Sequence, residues 1–495
     1  MLSEGMDGTE FSKHPELHKA WQDGLCTQNN WFYSLTTLKL VNCDIKPYAI
    51  PSNILPCLNS LEDLEVRNCN KVEVIFAKND TDEIPSKLNN LTLEDLSELK
   101  LVWEKNFQGI LQFQNLKQVS VIGCKSLQTL FPAALAESLK MIDKLNVESC
   151  DELREIVGKE DLATGLEKKF SFPHLATLHF YKLPNFTYFY PEIFTVVCPK
   201  LSYCCVLICP KLELFQGPHA EGEAESISTS TNRQPLIPNL DAISILEELY
   251  LGWEHISVLR LGRQAEDLKY LKKSFLYFDV ETNENPTLPL GILQRVPNLQ
   301  ELRLGYTHSL EIFLTKNTNG REHRILGQLK KLTLDTVFEL QYINLEDSWL
   351  NTVIEKLHNL YVTDCPDLKN LFHSPCGLSF SYMKELHISS CHGLRYLFTC
   401  SIAKALTSLE KITVEKSRSI EEIVAKENDG TTPQELPSLT QVYIWQCPKV
   451  KVFSSGEINA NCFQGIQASS NLNDELFLYN NDLNASVEML FLLQQ

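Results

Sequence analysis

The sequence predicts an α/β solenoid: a curved horseshoe of short similar turns, each adding one strand to a parallel β-sheet on the concave face, with an irregular or short helical convex side. Three observations predict it. An apolar frame recurs along the chain at a nearly constant period, apolar and polar residues alternate inside each copy, and a cysteine returns at one place in the frame.

The frame is clearest in LEDLEVRNCNKVEVI, where Leu61, Leu64, Val66, Cys69, Val72 and Ile75 stand at offsets 0, 3, 5, 8, 11 and 14. It returns in register from Leu116, Ile142, Leu357, Met383 and Leu439. With looser copies included, starts fall at 35, 61, 88, 116, 142, 175, 201, 246, 271, 299, 329, 357, 383, 409 and 439, mostly 25 to 30 residues apart. That is the period of leucine-rich repeats. The copies at Leu246 and Leu271 are degenerate and rest on spacing alone.

Offsets 3 and 5 give the period of two of a strand with one buried face, so Leu64 and Val66 point inward while Asp63, Glu65 and Arg67 point out. Six inward side chains at roughly 1.5–3 kcal/mol each are opposed by an ordering entropy of the same order or larger. No repeat is stable alone, and the coil is held by the interfaces between repeats.

Eight of the 16 cysteines, namely Cys43, Cys69, Cys124, Cys150, Cys209, Cys365, Cys391 and Cys447, fall at offset 8. The chain turns out of the strand there, and a small buried side chain whose thiol reaches turn carbonyls suits the place. Metal-ligand spacing is lacking, and other copies carry Leu96, Leu183, Val337 or Ser417 instead. Packing is therefore the reading, with no metal and no cofactor. Cys204 and Cys205 read as one core and one surface residue of a single strand.

Longer organisation follows from the same alignment. Residues from Leu127 can be laid without a gap on those from Leu394, pairing Leu130 with Leu397, Ala136 with Ala403 and Glu155 with Glu422; both blocks predict a short outer helix. Residues 1–34 form an N-terminal segment whose FSKHPELHKAW stretch, with Leu17 and Trp21, reads as the tail of a preceding repeat of a longer protein. A first sub-array covers 35–215, a polar loop insertion 216–240, a second sub-array 241–453 and a tail 454–495, where Asp482 opens an N-capped amphipathic helix that closes the stack.

The net charge of −18, without any basic run, argues against a nucleic-acid surface. The N-terminus has no apolar leader and no stretch spans a membrane, which places the chain in the cytoplasm. The Asn-x-Ser/Thr sequons at Asn79, Asn90, Asn185 and Asn484 then carry little meaning. No G-x-S-x-G, H-E-x-x-H or glycine-rich phosphate cradle occurs, so no catalytic residue is assigned and the chain is not read as an enzyme.

Binding is expected on the outward offsets 2, 4 and 6 of the sheet. These collect His179, Tyr181, Tyr203 and Tyr250 with nearby Trp253, then Tyr361 and His387, then Tyr443 and Trp445. Aromatic rings on a strand face that normally meets water have the composition of protein-contact hot spots. Alanine at Tyr203 and Tyr250 is expected to weaken partner capture and leave thermal stability nearly intact. Asp63, Glu65, Arg67 and Glu94 read as a solvated face.

The cysteine-bearing repeat, the aromatic-rich return LSELKLVWEKNFQGILQFQNLKQVSVIGC, the EEIVAKE phrase and the terminal DLNASVEMLF together resemble the leucine-rich-repeat region of coiled-coil nucleotide-binding plant disease-resistance proteins. The resemblance implies a protein-recognition scaffold in plant defence, whose partner is a pathogen effector, a guarded host protein or the receptor's own nucleotide-binding domain. This chain departs from that family in having no G-x-x-x-x-G-K-[ST] loop, so it is not itself the switch. The rival readings are a substrate-recruiting subunit of a ubiquitin ligase, which needs a helical adaptor segment that residues 1–34 do not resemble, a surface-receptor ectodomain, which needs cysteine caps, and an inhibitory solenoid.

Overall fold

In the computed structural model the described residues are 8–10, 33–77, 87–104, 113–158, 168–191, 194–214, 235–237, 245–256, 268–278, 293, 296–307, 326–343, 350–372, 379–426, 434–467, 476–479 and 482–493. They group into two compact units, Met1–Tyr270 and Leu271–Gln495. Both are leucine-rich-repeat solenoids.

Every repeat start from Leu35 to Leu439 is followed by a strand that begins at offset 2, the degenerate copies at Leu246 and Leu271 included: they supply Glu248–Gly252 and Lys273–Tyr277. In the first unit the strands pair in chain order and in parallel, as Asp63–Arg67 does with Asn90–Glu94. In the second, Asn359–Thr363 pairs with Glu385–Ser389, which pairs with Lys411–Glu415 and so on to Gln441–Trp445. Registers match residue for residue, so equal offsets of successive repeats lie side by side about 4.8 Å apart. Alternation of the pleat sends offsets 3 and 5 into the core: Leu64 and Val66 are 1% and 0% exposed.

The turn after each strand has a device that residue identity conceals. Offset 7 is left-handed in every repeat but the two degenerate ones, at Asn68 (φ 52), Lys182 (φ 52) and Ile208 (φ 56) among others, and among these is a glycine only at Gly123 (φ 68). This conformation swings the backbone N–H toward the next repeat: Asn68 donates to the Glu94 carbonyl at 3.0 Å and Lys416 to that of Trp445 at 2.9 Å. Offset 8 then drops into the core. All eight cysteines at this position direct Sγ to the carbonyl two residues back, as Cys69 does to Arg67 at 3.3 Å and Cys150 to Glu148 at 3.3 Å. Burial pushes the Cys150 thiol up to about 12. The described cysteines are free thiols.

The returns are more regular than the sequence suggests. Short strands at offsets 13–15, such as Tyr48–Ile50, Val74–Phe76 and Leu101–Trp103, pair in parallel into a second small sheet, and Phe398–Thr399, Glu422–Ala425 and Val452–Ser454 do so in the second unit. Returns of equal length bring these backbones into register, and the spine behind them is aromatic: Phe76 packs on Phe113 at 4.9 Å and Trp103 on Phe131 at 5.6 Å between ring centroids. The two outer helices stand at Ala133–Ser138 and Cys400–Ala405, in the duplicated block.

The apolar frame stops after Phe453, yet the sheet gains one more strand, Gly465–Gln467, paired with Gln441–Tyr443. The helix Leu483–Leu493 follows, with Asp482 Oδ1 accepting the Ala485 N–H at 2.7 Å and Leu483, Val487 and Leu490 buried. Of the 216–240 insertion only 235–237 is described, where Leu236 and Ile237 are buried and donate to the Glu213 and Leu214 carbonyls at 3.0 and 2.8 Å. The FSKHPELHKAW stretch with Leu17 and Trp21, and the sequon at Asn79, lie outside the described residues. Among the described residues no helix is long and apolar enough to cross a membrane.

Candidate functional site

Register converts the offset pattern into contacts. In the unit Met1–Tyr270, His179 lies opposite Cys205, which lies opposite Tyr250, and Tyr203 sits at the start of the Cys205 strand. The His179 and Tyr203 rings stack with centroids 6.2 Å apart and 6° between planes, and the Tyr203 hydroxyl is 3.4 Å from His179 Nδ1. Tyr250 continues the group at 5.3 Å from Tyr203 and donates its hydroxyl to Glu248 at 3.1 Å. Tyr181 meets the edge of His179 at 6.4 Å and carries Lys182 Nζ over its ring at 5.3 Å. Four of the expected residues therefore form one continuous patch. Trp253 leaves the sheet, opening the one-turn helix Trp253–Ile256.

The patch is less exposed than offsets 2, 4 and 6 imply, because each ring lies across its neighbour. Cys205, expected at the surface, is 3% exposed, with its thiol hydrogen-bonded to Tyr203 and burial pushing it up to about 12. Cys204 and Cys205 are thus both buried. Burial holds His179 below the ordinary histidine range, outweighing Glu148, whose carboxylate is 3.7 Å from Nε2. Burial also raises Tyr203.

In the unit Leu271–Gln495 the same offset 4 aligns Tyr361, His387, Thr413 and Tyr443 on successive strands. Tyr361 and His387 stack at 5.3 Å and 20°, and His387 Nε2 is 3.4 Å from Glu415. Burial again lowers the histidine against the pull of that carboxylate. The Tyr361 hydroxyl donates to Glu385 Oε2 at 2.7 Å, an oxygen that also accepts from Asn359 at 2.8 Å. Cations cover the rings: Lys331 over Tyr361 at 4.5 Å, Lys411 over Tyr443 at 4.6 Å and Lys416 over Trp445 at 5.4 Å. Thr413 separates Tyr443 from the stacked pair, so the four residues make two patches.

A third aromatic group lies outside the residues expected from the sequence. Phe275, Tyr277 and Tyr306 come together at the start of this unit, with Tyr277 and Tyr306 at 4.6 Å and Arg303 over Phe275 at 4.7 Å while paired with Asp335. Phe275 and Tyr277 stand at offsets 4 and 6 of the degenerate copy at Leu271, so trusting its spacing would have revealed them. The mixed-charge positions in the first unit satisfy one another: Arg67 Nε bridges Glu65 at 2.7 Å and Glu94 at 3.0 Å, and Lys39 reaches Glu65 at 3.2 Å.

Rings already locked by stacking lose little conformational entropy when a partner covers them. Among the described residues no group of three or more histidine, cysteine or acidic side chains is arranged to hold a metal ion. The sequon residues have structural roles: Asn90 pairs with Asp63, Asn185 donates to the Asp151 carbonyl at 2.9 Å, and Asn484 Oδ1 accepts the Ser454 N–H at 2.8 Å.

The family described as plant disease resistance protein RPS2-like, leucine-rich repeats, matches residues 6–151, 273–377 and 374–418. No curated protein is a match. Among solved structures, the crystal structure of the mouse RP105/MD-1 complex is similar at 14% identity and a TM-score of 0.28, over 89% of this chain and 84% of that chain.

Proposed function

We propose, on the premise that this chain belongs to the RPS2-like leucine-rich-repeat family of plant disease resistance proteins, that the exposed faces of its long sheets capture another polypeptide in a defence response in the plant cytoplasm. The partner is a pathogen effector or a guarded host protein, or the nucleotide-binding domain of a receptor. The stacked histidine–tyrosine pairs, His179 with Tyr203 and Tyr361 with His387, carry this reading. Strand residues at outward offsets ordinarily favour water-compatible side chains. Here they are large, pre-ordered rings bordered by carboxylates and ammonium groups, the make-up of an interface anchor.

The test is quantitative capture from host cytosol with the wild-type chain, the Tyr203→Ala/Tyr250→Ala pair and the Tyr443→Ala/Trp445→Ala pair. Loss of specific proteins from either variant, with unchanged circular dichroism, supports the reading. Recovery of the same proteins in the same amounts by all three chains refutes it.

A further inference from the structure

A second surface runs along one edge of the long sheet in the unit Leu271–Gln495, where the residue before each strand is fixed by backbone hydrogen bonds. Gln300 N–H donates to Lys272, Lys330 to Gln300, His358 to Lys330, Lys384 to His358 and Glu410 to Lys384, all at 2.7–2.8 Å. This places Lys272, Lys330 and Lys384 two strands apart, about 9.6 Å from one to the next. All three are exposed. Lys384 pairs with Glu410 at 2.9 Å. Lys330 and the equally exposed Lys356 have no ion-pair partner among the described residues. Along this edge Tyr382, 57% exposed, stacks on His358 at 6.0 Å and 22°.

The repeat does not impose these lysines. The equivalent positions of the unit Met1–Tyr270, namely Thr36, Glu62, Asn89, Lys117, Asp143, Ala176, Ser202 and Glu247, hold three acids and one lysine. On a chain of net charge −18, a row of lysines with an exposed tyrosine along the same edge is a local concentration of positive charge.

We propose that this edge docks an extended, acidic segment of a partner protein. Its carboxylates meet Lys272, Lys330 and Lys384, and Tyr382 packs against its apolar groups. A polyproline II segment advances about 9.3 Å per three residues, so an acid at every third position matches the lysine spacing. The aromatic faces play no part in this contact.

Fluorescence anisotropy with the full chain and a labelled Glu-Pro-Pro repeat peptide tests it, with the Gln-Pro-Pro peptide and an oligothymidylate of equal charge as comparators. The acidic peptide is expected to bind about tenfold more tightly than the glutamine peptide, and to weaken as salt rises. Lys330→Glu with Lys384→Glu should abolish that preference, while Lys117→Glu in the other unit leaves it unchanged. Equal binding of the two peptides by the wild-type chain overturns the proposal without recourse to any variant. So does indifference to the charge reversals, or an oligonucleotide that binds more tightly than the acidic peptide.

Discussion

The Ser417 hydroxyl accepts the Cys391 backbone N–H at 3.1 Å and donates to the Glu415 carbonyl at 3.0 Å. Both residues hold offset 8 of successive repeats, and Cys69 does the same work one array earlier: its sulfur accepts the Cys43 N–H at 3.3 Å and donates to Arg67. At Cys69 and Ser417 the position is therefore filled by a small side chain that both donates and accepts. Cys69→Ser is expected to cost about 1 kcal/mol or less, whereas Cys69→Val, apolar and without a donor or acceptor, strands the Cys43 N–H and costs about 1–3 kcal/mol. Urea midpoints decide it: valine tolerated as well as serine would reduce the thiol to mere volume.

His255 gives the first unit a dependence on pH. It is 3% exposed, its Nε2 has no hydrogen-bond partner among the described residues, and burial pulls it down to about 4. The unfolded ring titrates near 6.5, so the unfolded chain takes up the proton first. Its contribution is complete above about pH 6.5 and is lost as pH falls toward 4, by about 3 kcal/mol in all. Comparing urea unfolding of the wild type and His255→Phe at neutral pH and near pH 4.5 isolates this group. The stability difference should move in favour of phenylalanine by about 2–3 kcal/mol as pH falls; a constant difference would remove histidine ionisation from the account.

Tyr203 and Tyr250 roof Cys205, so the rings guard a thiol as well as forming part of the proposed contact face. Tyr203→Ala is expected to make Cys205 alkylate in the folded protein and to lower stability by about 1 kcal/mol through lost stacking, which revises the expectation of an unperturbed melting point. Tyr203→Phe keeps the roof. Peptide mapping after brief maleimide treatment reads this directly, and a Cys205 equally inert in both variants would place its protection elsewhere.

What the sequence disclosed was whatever one repeat contains. The alternation of Leu64 and Val66 marks a strand by itself, and Cys69 marks the turn because its offset is constant. What it hid arises between repeats. Val74–Phe76 is a strand because Tyr48–Ile50 and Leu101–Trp103 flank it, and its run of apolar residues has no period of two. His179 and Glu148, or His387 and Glu415, meet across turns. Cys205 is buried by side chains of adjoining strands, which a rule of outward offsets leaves out. Gly465–Gln467 joins the sheet although no leucine frame announces it.

The left-handed turn yields the sharpest stability test, because its geometry is constant while its residue varies. Asn42 and Asn68 take φ 53 and 52 at offset 7 with a side chain that tolerates this conformation, whereas Ile208 takes φ 56 with a β-branched one. The strain persists because neighbours fix the backbone: Lys182 donates to the Leu207 carbonyl at 3.1 Å and Leu183 to that of Ile208 at 3.0 Å. Ile208 is only half-buried, so asparagine relieves the strain at small cost in packing. Ile208→Asn should raise stability by about 1 kcal/mol, while Asn68→Ile in the equivalent turn lowers it by a similar amount. Glycine at 208 should gain less than asparagine, since its unfolded chain has more freedom to lose. Urea midpoints for the three variants give the order, and a destabilised Ile208→Asn would mean that the isoleucine's packing outweighs its backbone strain.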